Sequence, residues 1–360
     1  MKHVCIDCRM WGKPYAGIGR YTKEIVVYFL LNVKWKFTLL CYQYSYNELT
    51  KFKSEHNLKN VNLVLCKARL FSLKAQIELI RCIPACDILW IPHINVPLLP
   101  TKAHQQVTTI HDVLQLAHSE YYSVFRFAII KMLIGRSIRK SKLVLTVSDF
   151  SVDEIVRFYG KKYRKKIRRI YNGFRSIDSE RCPVQKKFQK YLLFVGSVKP
   201  HKNLKNALLA YELFLKSEHD FRFVIVGKRE GFVTMDRDVD ALVNRINQYD
   251  ENVLFAGNVN DDELYSLYDN AKALVFPSLY EGFGIPLIEA MSFRLPIACS
   301  DIPVFHEICG DEVCYFNPFD IKSICRALEN VCVLESKTYK EWQSWDETGR
   351  QILSELTKLL

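Results

Sequence analysis

No apolar stretch in these 360 residues approaches the ~18 consecutive apolar residues that a membrane-crossing helix requires. The longest candidates, 25–31 and 124–134, are short or broken by Arg126 and Lys131. The opening Met1-Lys2-His3-Val4-Cys5-Ile6-Asp7 runs straight into a charged strand pattern rather than the apolar core of a secretory leader, so a cytosolic chain is expected. Tandem repeats and low-complexity tracts are missing too. With 49% apolar and 13% aromatic residues, the composition supports packed cores and argues against disorder. Paired zinc half-sites are also lacking. Cys5 and Cys8 have zinc-like spacing but no second pair to match, and Cys82 and Cys86 stand equally alone. The other cysteines, such as Cys41, Cys66, Cys299 and Cys314, sit in apolar runs where a thiol packs as a small hydrophobe.

Acidic residues are scarce in the first half. Residues 1–180 carry 30 Lys and Arg against 13 Asp and Glu, a formal +17, whereas residues 181–360 carry 21 against 26, a formal −5. That asymmetry points to an anionic partner for the first half alone. The densest run is Lys161-Lys162-Tyr163-Arg164-Lys165-Lys166-Ile167-Arg168-Arg169, and residues 125–140 interleave Phe125, Phe127, Ile129 and Leu133 with further cations. Most such runs are solvated surface. A basic surface nonetheless gains about 1 kcal/mol per Lys or Arg against anionic lipid, so peripheral membrane association through the first domain is one expectation. No nucleic-acid recognition motif accompanies the charge, and no nucleic acid is expected as a partner.

At this length two domains are the natural expectation. Strand-like runs at 3–8, 37–42, 61–66, 88–91, 107–110 and 143–147 alternate with helical patterns at 20–31, 73–81, 121–140 and 151–159. A polar connector at 178–183 follows, and the rhythm restarts. Strands are expected at 191–195, 221–226, 253–256, 273–277, 296–299 and 314–316. Helices are expected at 203–215, 238–249, 261–269, 304–308, 321–334 and 340–360. This alternation predicts an α/β fold of two Rossmann-like domains, 1–180 and 181–340, facing each other across a cleft, with a C-terminal helix at 341–360 crossing back to the first.

Around Glu281-Gly282-Phe283-Gly284-Ile285-Pro286-Leu287-Ile288-Glu289-Ala290-Met291 the pattern becomes chemical. An apolar strand ends at Pro277; Gly282 and Gly284 then permit unusual backbone angles, and Pro286 suits the first helical position. The glycine loop lets Glu281 face the same hollow as Glu289, which is expected in the first turn. Between them a helix N-terminus offers amides to phosphate oxygens. A ligand with an anionic middle and hydroxyl-rich ends, such as a sugar nucleotide, fits. An ordinary strand–loop–helix corner with a first-turn acid fits the pattern equally well.

Glu-Gly-Phe-Gly-x-Pro-x-x-Glu-Ala-Met resembles the E-x7-E signature of retaining glycosyltransferases of the GT-B fold, especially family 4, and companion segments extend the resemblance from about residue 5 to 335. Gly196-Ser197-Val198-Lys199-Pro200-His201-Lys202-Asn203 resembles the family's glycine-to-Lys-Asn segment, whose lysine binds the donor diphosphate; the arginine some members carry after the glycine is Ser197 here. Gly17 and Gly19 resemble the family's glycine-rich loop beside the donor, and His111-Asp112 its His-Asp pair, with Asp112 able to hold the loop instead. The segments 147–151 and 170–173 also look like family segments, structural in role.

The resemblance implies Glu281, His111 and Lys202 as the catalytic set. It implies donor contacts from Gly17, Gly19, Ser197, Lys202, Glu289 and the amides of Phe283, Gly284 and Ile285. It further implies transfer of a sugar from a nucleotide sugar to a glycan or lipid-linked glycan acceptor, with retention, no cofactor and no metal. GDP-mannose is the leading donor, through similarity to mannosyltransferases of surface-polysaccharide assembly. Asp236-Arg237-Asp238 imitates the D-x-D metal pair of the other glycosyltransferase fold, but as a charged helix start it is not expected to bind metal. Two alternatives remain open: a sugar-nucleotide epimerase or phosphorylase on the same scaffold, and a non-catalytic nucleotide-sugar-binding protein.

Overall fold

The computed structural model describes residues 1–12, 16–175, 190–217, 220–227 and 237–360. The connector at 178–183 and Asp236, both singled out in the sequence, lie outside the described residues. The chain divides into two compact units, Met1–Gly173 with Gln343–Leu360, and Phe174–Trp342. The sequence boundaries were expected at 180/181 and 340/341.

Unit 1 alternates strands and helices: β1 His3–Asp7, α1 Ala16–Asn32, β2 Lys36–Cys41, α2 Gln43–Glu55, β3 Val61–Leu65, α3 Leu73–Cys82, β4 Cys86–Ile91, β5 Ala103–Thr109, α4 Leu114–Ala117, α5 Val124–Lys140, β6 Leu143–Thr146, α6 Asp149–Tyr159 and β7 Ile167–Arg169. The strands form one parallel sheet in the order β3-β2-β1-β4-β5-β6-β7. Parallel strands covered on both faces must be apolar throughout, and β1, β4 and β6 are nearly so, with every residue of β6 buried. Ser148 caps α6 by accepting from the Ser151 amide at 2.9 Å, and Gly160 ends it at φ 99°.

Three elements differ from the sequence reading. Helix α1 begins at Ala16 rather than residue 20, so Gly17 and Gly19 lie in its first turn instead of a loop. Glycine weakens a helix, but here Gly19 is needed for packing: a Cβ on it would lie 2.0 Å from the Gly12 carbonyl oxygen. Helix α2 was not singled out because its face is mostly polar, with only Ser45 and Leu49 buried. The expected helix at 121–140 is divided, a 3-10 turn at Ser119–Tyr121 preceding α5. The basic run is mostly solvated surface, with Ile167 its one buried residue. Lys161–Lys166 is a 3-10 turn and Ile167–Arg169 is edge strand β7, with Ile167 fully buried.

Unit 2 repeats the scheme: β8 Tyr191–Val195, α7 Leu204–Phe214, β9 Arg222–Val226, α8 Arg237–Ile246, β10 Val253–Gly257, α9 Asp261–Asn270, β11 Ala273–Phe276, α10 Ile285–Ser292, β12 Ile297–Ser300, α11 Pro303–Cys309, β13 Cys314–Phe316 and α12 Ile321–Val333. Its parallel sheet runs β10-β9-β8-β11-β12-β13. Phe194, Phe214, Phe223, Tyr211 and Val275 anchor the core between sheet and helices. The last helix, α13 Trp345–Thr357, starts five residues later than expected and packs on α1 within unit 1. There a Cβ at Gly349 would meet the Tyr28 ring at 2.5 Å, and one at Gly173 would meet the Trp345 amide nitrogen at 2.3 Å. Among the described residues no helix is long and apolar enough to cross a membrane.

In both sheets the strand order reverses beside the first strand, between β1 and β4 and between β8 and β11. Loops leaving those neighbouring strands diverge and leave a crevice at the strand carboxyl ends. In unit 1 that place holds a buried cluster of Asp7, Arg9 and His93. Arg9 Nε donates to Asp7 Oδ1 at 2.8 Å and Nη2 to Oδ2 at 2.6 Å, both side chains being inaccessible. His93 Nδ1 accepts from the Asn95 amide at 3.1 Å, which places its proton on Nε2, 3.1 Å from Asp7 Oδ2. That contact is poorly aligned, yet the proton still faces the carboxylate. Burial alone would raise the Asp7 pKa; the Arg9 charge overrides it and holds the carboxyl far below the usual range.

Asp7→Asn leaves the Arg9 charge buried without its counterion. It is expected to cost about 3–5 kcal/mol in urea unfolding at neutral pH. Because the folded pKa of Asp7 lies below the unfolded one of about 3.9, this stabilisation is complete above pH ~4 and lost below it. The gap between parent and variant should therefore narrow on acidification. A neutral-pH loss under about 1 kcal/mol would show that Arg9 is compensated elsewhere.

Candidate functional site

The strongest constellation lies at the reversal point of unit 2. The loop after β8 runs through Gly196 and Ser197 into a 3-10 turn, Pro200–Lys202, and Asn203 then takes a left-handed conformation (φ 55°) before α7. This tight turn puts Lys202 just ahead of the helix. The loop after β11 carries Ser278 and Glu281. Because β8 and β11 are hydrogen-bonded neighbours, the two loops meet: the Leu279 amide donates to the His201 carbonyl at 2.8 Å. Lys202 Nζ forms a short ion pair with Glu281 Oε1, and the Ser278 hydroxyl donates to the same oxygen at 2.7 Å. Lys202 Nζ also stands 5.5 Å above the Phe276 ring centroid. Both charged side chains are about five-sixths buried, at 16% and 15% exposure, so each retains an edge to a ligand.

Glycine makes the approach possible. Gly227, at φ 149°, presses on the first loop so closely that a Cβ would lie 1.9 Å from the Gly196 carbonyl oxygen. Gly284 adopts φ 110°, and a Cβ there would also meet Leu287 at 2.9 Å. Gly282 needs no positive φ, contrary to the sequence expectation. Helix α10 starts at Ile285, placing Pro286 second rather than first; either position lies among amides that lack intrahelical partners. Phe283 is buried against Trp342, ring centroids 5.7 Å apart, which fixes the main chain leading to Gly284 and Ile285.

Glu289 differs from expectation in a consequential way. It lies beyond the first turn of α10 and is 5% exposed, so it is no ordinary solvated helix-start acid. Tyr268, on α9, donates its hydroxyl to Glu289 Oε2 at 2.9 Å, and its ring stacks on Phe293 at 5.6 Å. A buried carboxylate needs such donors, and this one fixes the direction of the remaining oxygen. Sequence reasoning missed both Ser278 and Tyr268. Ser278 stands three residues before Glu281 and could have been suspected from that spacing. Tyr268 is 21 residues from its partner, and nothing local marks it.

On unit 1, His111 follows β5 and donates from Nε2 to the Pro92 carbonyl at 3.0 Å. Its ring meets Tyr21 edge-on, 4.7 Å between centroids. Burial lowers its pKa to about 4, with His93 adding to the effect and the Pro92 hydrogen bond opposing it. The imidazole is thus neutral near pH 7. Asp112 Oδ1 accepts from the Leu114 amide at 3.0 Å, so the acid of the His-Asp pair does hold the loop. Gly17 is exposed and Gly19 buried in the first turn of α1. Asp238 pairs with Lys205 at 2.6 Å in the first turn of α8. Among the described residues no group of three or more His, Cys, Asp or Glu is placed to hold a metal ion, and every cysteine is free.

Known families match the chain along most of its length. Residues 15–176 match the family described as Glycosyltransferase Family 4, and residues 178–351 match Glycosyl transferases group 1. O-antigen chain mannosyltransferase B of Escherichia coli is 29% identical over 328 residues, covering 86% of this chain and 85% of that protein. O-antigen chain mannosyltransferase RfbU of Salmonella typhimurium is 34% identical over 240 residues, covering 66% of this chain and 63% of that one. Among solved structures, Anabaena HepE in complex with UDP and glucose aligns with a TM-score of 0.71 at 15% identity, over 99% of both chains. WaaG, a glycosyltransferase involved in lipopolysaccharide biosynthesis, aligns at 0.68 and 16% identity over 98% of this chain and 95% of that one. These structures speak to the fold; the sequence relatives speak to the activity and do not favour an epimerase, a phosphorylase or a non-catalytic binder. Covered by the two family descriptions along almost its whole length, the chain belongs to glycosyltransferase family 4 and is a GT-B glycosyltransferase acting on glycan acceptors.

Proposed function

We propose that this glycosyltransferase moves mannose from GDP-mannose to a glycan, free or lipid-linked, of a surface polysaccharide, with retention and without a metal or cofactor. The names of its sequence relatives support mannose and the polysaccharide. The observation that carries the chemistry is the Lys202–Glu281–Ser278 cluster at the reversal point of unit 2, beside the start of α10. Lys202 and the amides of Phe283, Gly284 and Ile285 meet the diphosphate, with Ser197 beside them; Glu281 accepts hydroxyls of the sugar; Glu289, aimed by Tyr268, accepts ribose hydroxyls. In unit 1, neutral His111, its Nε2 proton given to the Pro92 carbonyl, keeps Nδ1 to accept from a substrate hydroxyl, and Gly17 is the exposed glycine of the α1 first turn while Gly19 packs against Gly12.

In the reaction the bond between the sugar anomeric carbon and the phosphate oxygen breaks. The acceptor hydroxyl oxygen bonds to that carbon on the same face, and its proton passes to the departing phosphate oxygen. Negative charge grows on the phosphate as the bond lengthens, so Lys202 and the helix amides act most strongly at the transition state. No side chain is placed to form a covalent intermediate in this proposal. The basic character of unit 1 supports contact with an anionic membrane surface on the cytoplasmic side.

Glu281→Ala and Lys202→Ala should each lower kcat by about 10²-fold or more with GDP-mannose. Glu289→Ala should chiefly raise the donor Kd, by about tenfold, and Tyr268→Phe should raise it less. Wild-type kinetics in all four variants would sink the assignment. In a thermal-shift panel GDP-mannose should raise the melting temperature more than UDP-glucose; the reverse order removes the donor proposal.

His111→Gln should reduce kcat/KM without altering the shape of the pH profile above about pH 5, because an imidazole with a folded pKa near 4 is neutral there. A limb near pH 6.5 that disappears in the variant would mean that His111 titrates during turnover.

A further inference from the structure

Three neighbouring strands of unit 1, β1, β4 and β5, end side by side, and a chain of buried contacts crosses their carboxyl ends from Arg9 to His111. It begins with Asp7, held by Arg9, and passes to His93 on the loop after β4, whose Nε2 proton faces Asp7 Oδ2 at 3.1 Å. The other ring nitrogen of His93, Nδ1, accepts from the Asn95 amide at 3.1 Å. The imidazole is therefore pinned at both nitrogens. Asn95 is itself held from α3: the Gln76 side chain donates to its Oδ1 at 3.3 Å and accepts from the Leu98 amide at 2.7 Å. Asp7, Arg9, His93 and Asn95 are all buried, none more than 2% exposed.

The carbonyl that receives the His111 proton belongs to the peptide unit between Pro92 and His93. On the near side the proline ring fixes its own φ and holds Ile91 extended. On the far side the pinned imidazole fixes His93. A carbonyl oxygen can only accept, so the 3.0 Å contact places the His111 proton on Nε2 and leaves Nδ1 bare. Other contacts hold His111 without choosing between its nitrogens. Ser151 donates its hydroxyl to the His111 main-chain carbonyl at 3.2 Å, and Tyr21, whose hydroxyl lies 3.3 Å from that of Thr109, meets the ring edge-on. The Pro92 carbonyl is the contact that decides the tautomer. A buried ion pair, moreover, is often no more stabilising than well-packed apolar residues of the same volume, so stability alone does not account for Asp7 and Arg9 at this place.

We propose that Asp7 and His93 are positioning residues for His111: by holding the peptide unit between Pro92 and His93 they keep His111 as its Nε2-protonated tautomer and present Nδ1 as an acceptor. Arg9 supplies the countercharge that fixes Asp7 at the start of this chain of contacts. That His111 Nδ1 meets a substrate hydroxyl rests on the function proposed above. The tautomer and its cause rest on unit 1 alone.

The test places two amides at position 93 of the full chain. His93→Gln is long enough to donate to Asp7, whereas His93→Asn can keep the Asn95 contact but ends short of the carboxylate. Nuclear magnetic resonance of protein isotope-labelled on the histidine ring nitrogens reads the tautomer, with the His111 signals assigned through His111→Gln. The parent should show His111 as one species protonated on Nε2. His93→Gln should keep that species and turn over GDP-mannose within about threefold of the parent. His93→Asn should show His111 nitrogens averaged between the two tautomers, with kcat lower by about tenfold or more. A parent whose His111 is mixed or protonated on Nδ1 would overturn the proposal. So would two variants that behave alike, or a His93→Asn that lowers kcat with the tautomer unchanged. Loss of folding in either variant, followed by thermal melting, would assign the cluster to stability alone and overturn it as well. A parent that does not turn over GDP-mannose would count against the donor reading, and the tautomer comparison would still decide the positioning role.

Discussion

The ion pair between Lys202 and Glu281 is the contact on which the functional reading depends. Two charges about five-sixths removed from solvent would be costly singly, and each makes the other tolerable. Removing either leaves the partner stranded, so the pair is kept as a unit. Its geometry follows from strand order. β8 and β11 are adjacent in the sheet though their last residues, Val195 and Phe276, stand 81 positions apart in the chain, and the bases of their following loops meet because the two strands are hydrogen-bonded neighbours. Ser278, on the shared oxygen, biases the carboxylate to one orientation and leaves its second oxygen for a ligand.

Glycine sets the second constraint, through closeness as much as through backbone freedom. Gly227 lets β9's end reach the Gly196 turn, and Gly284 lets the chain bend into α10 where Leu287 would exclude a side chain. In unit 1, Gly19 does the same against Gly12, inside a helix that glycine would otherwise weaken. At each place the backbone approaches another part of its own unit. The cationic and anionic side chains are then held by short, stiff connections rather than by long loops. That is the condition for electrostatic preorganisation.

Much of this was legible in sequence. Strand periodicity and turn residues located both sheets because parallel strands buried on two faces write themselves as apolar runs, as at 273–276 and 191–195. The loop-plus-proline signal located the start of α10 to within one residue. What stayed hidden is what tertiary structure adds. Helix α2 has too little apolar surface to advertise itself, and α1 extends over glycines that propensity would exclude. Glu289 looked like a first-turn acid until the helix start showed it deeper and buried. Tyr268 acts across a distance no local pattern spans, and the left-handed backbone of Phe71 has no glycine to announce it.

Charge shows why sequence runs and surface fields must be separated. In the densest basic run, 161–169, the last cations help to hold unit 1 together while Lys161, Lys162 and Lys165 remain exposed. Lys166 donates to the Ser141 carbonyl at 2.8 Å, Arg169 pairs with Asp149 at 3.2 Å, and Arg168 lies 3.7 Å from Glu355 of α13. Lys67 and Arg69 on one loop and Arg126, far along the chain, instead line one hollow without ion-pair partners among the described residues. A net charge of +17 over residues 1–180 therefore overstates the contribution of the run and understates that of the scattered residues. Exposed pairs contribute little to stability, about 0–1 kcal/mol, but they do neutralise the local field. The field a ligand meets is set by the cations left over after pairing, and in unit 1 those include the ones standing at the ends of β3 and the start of α5.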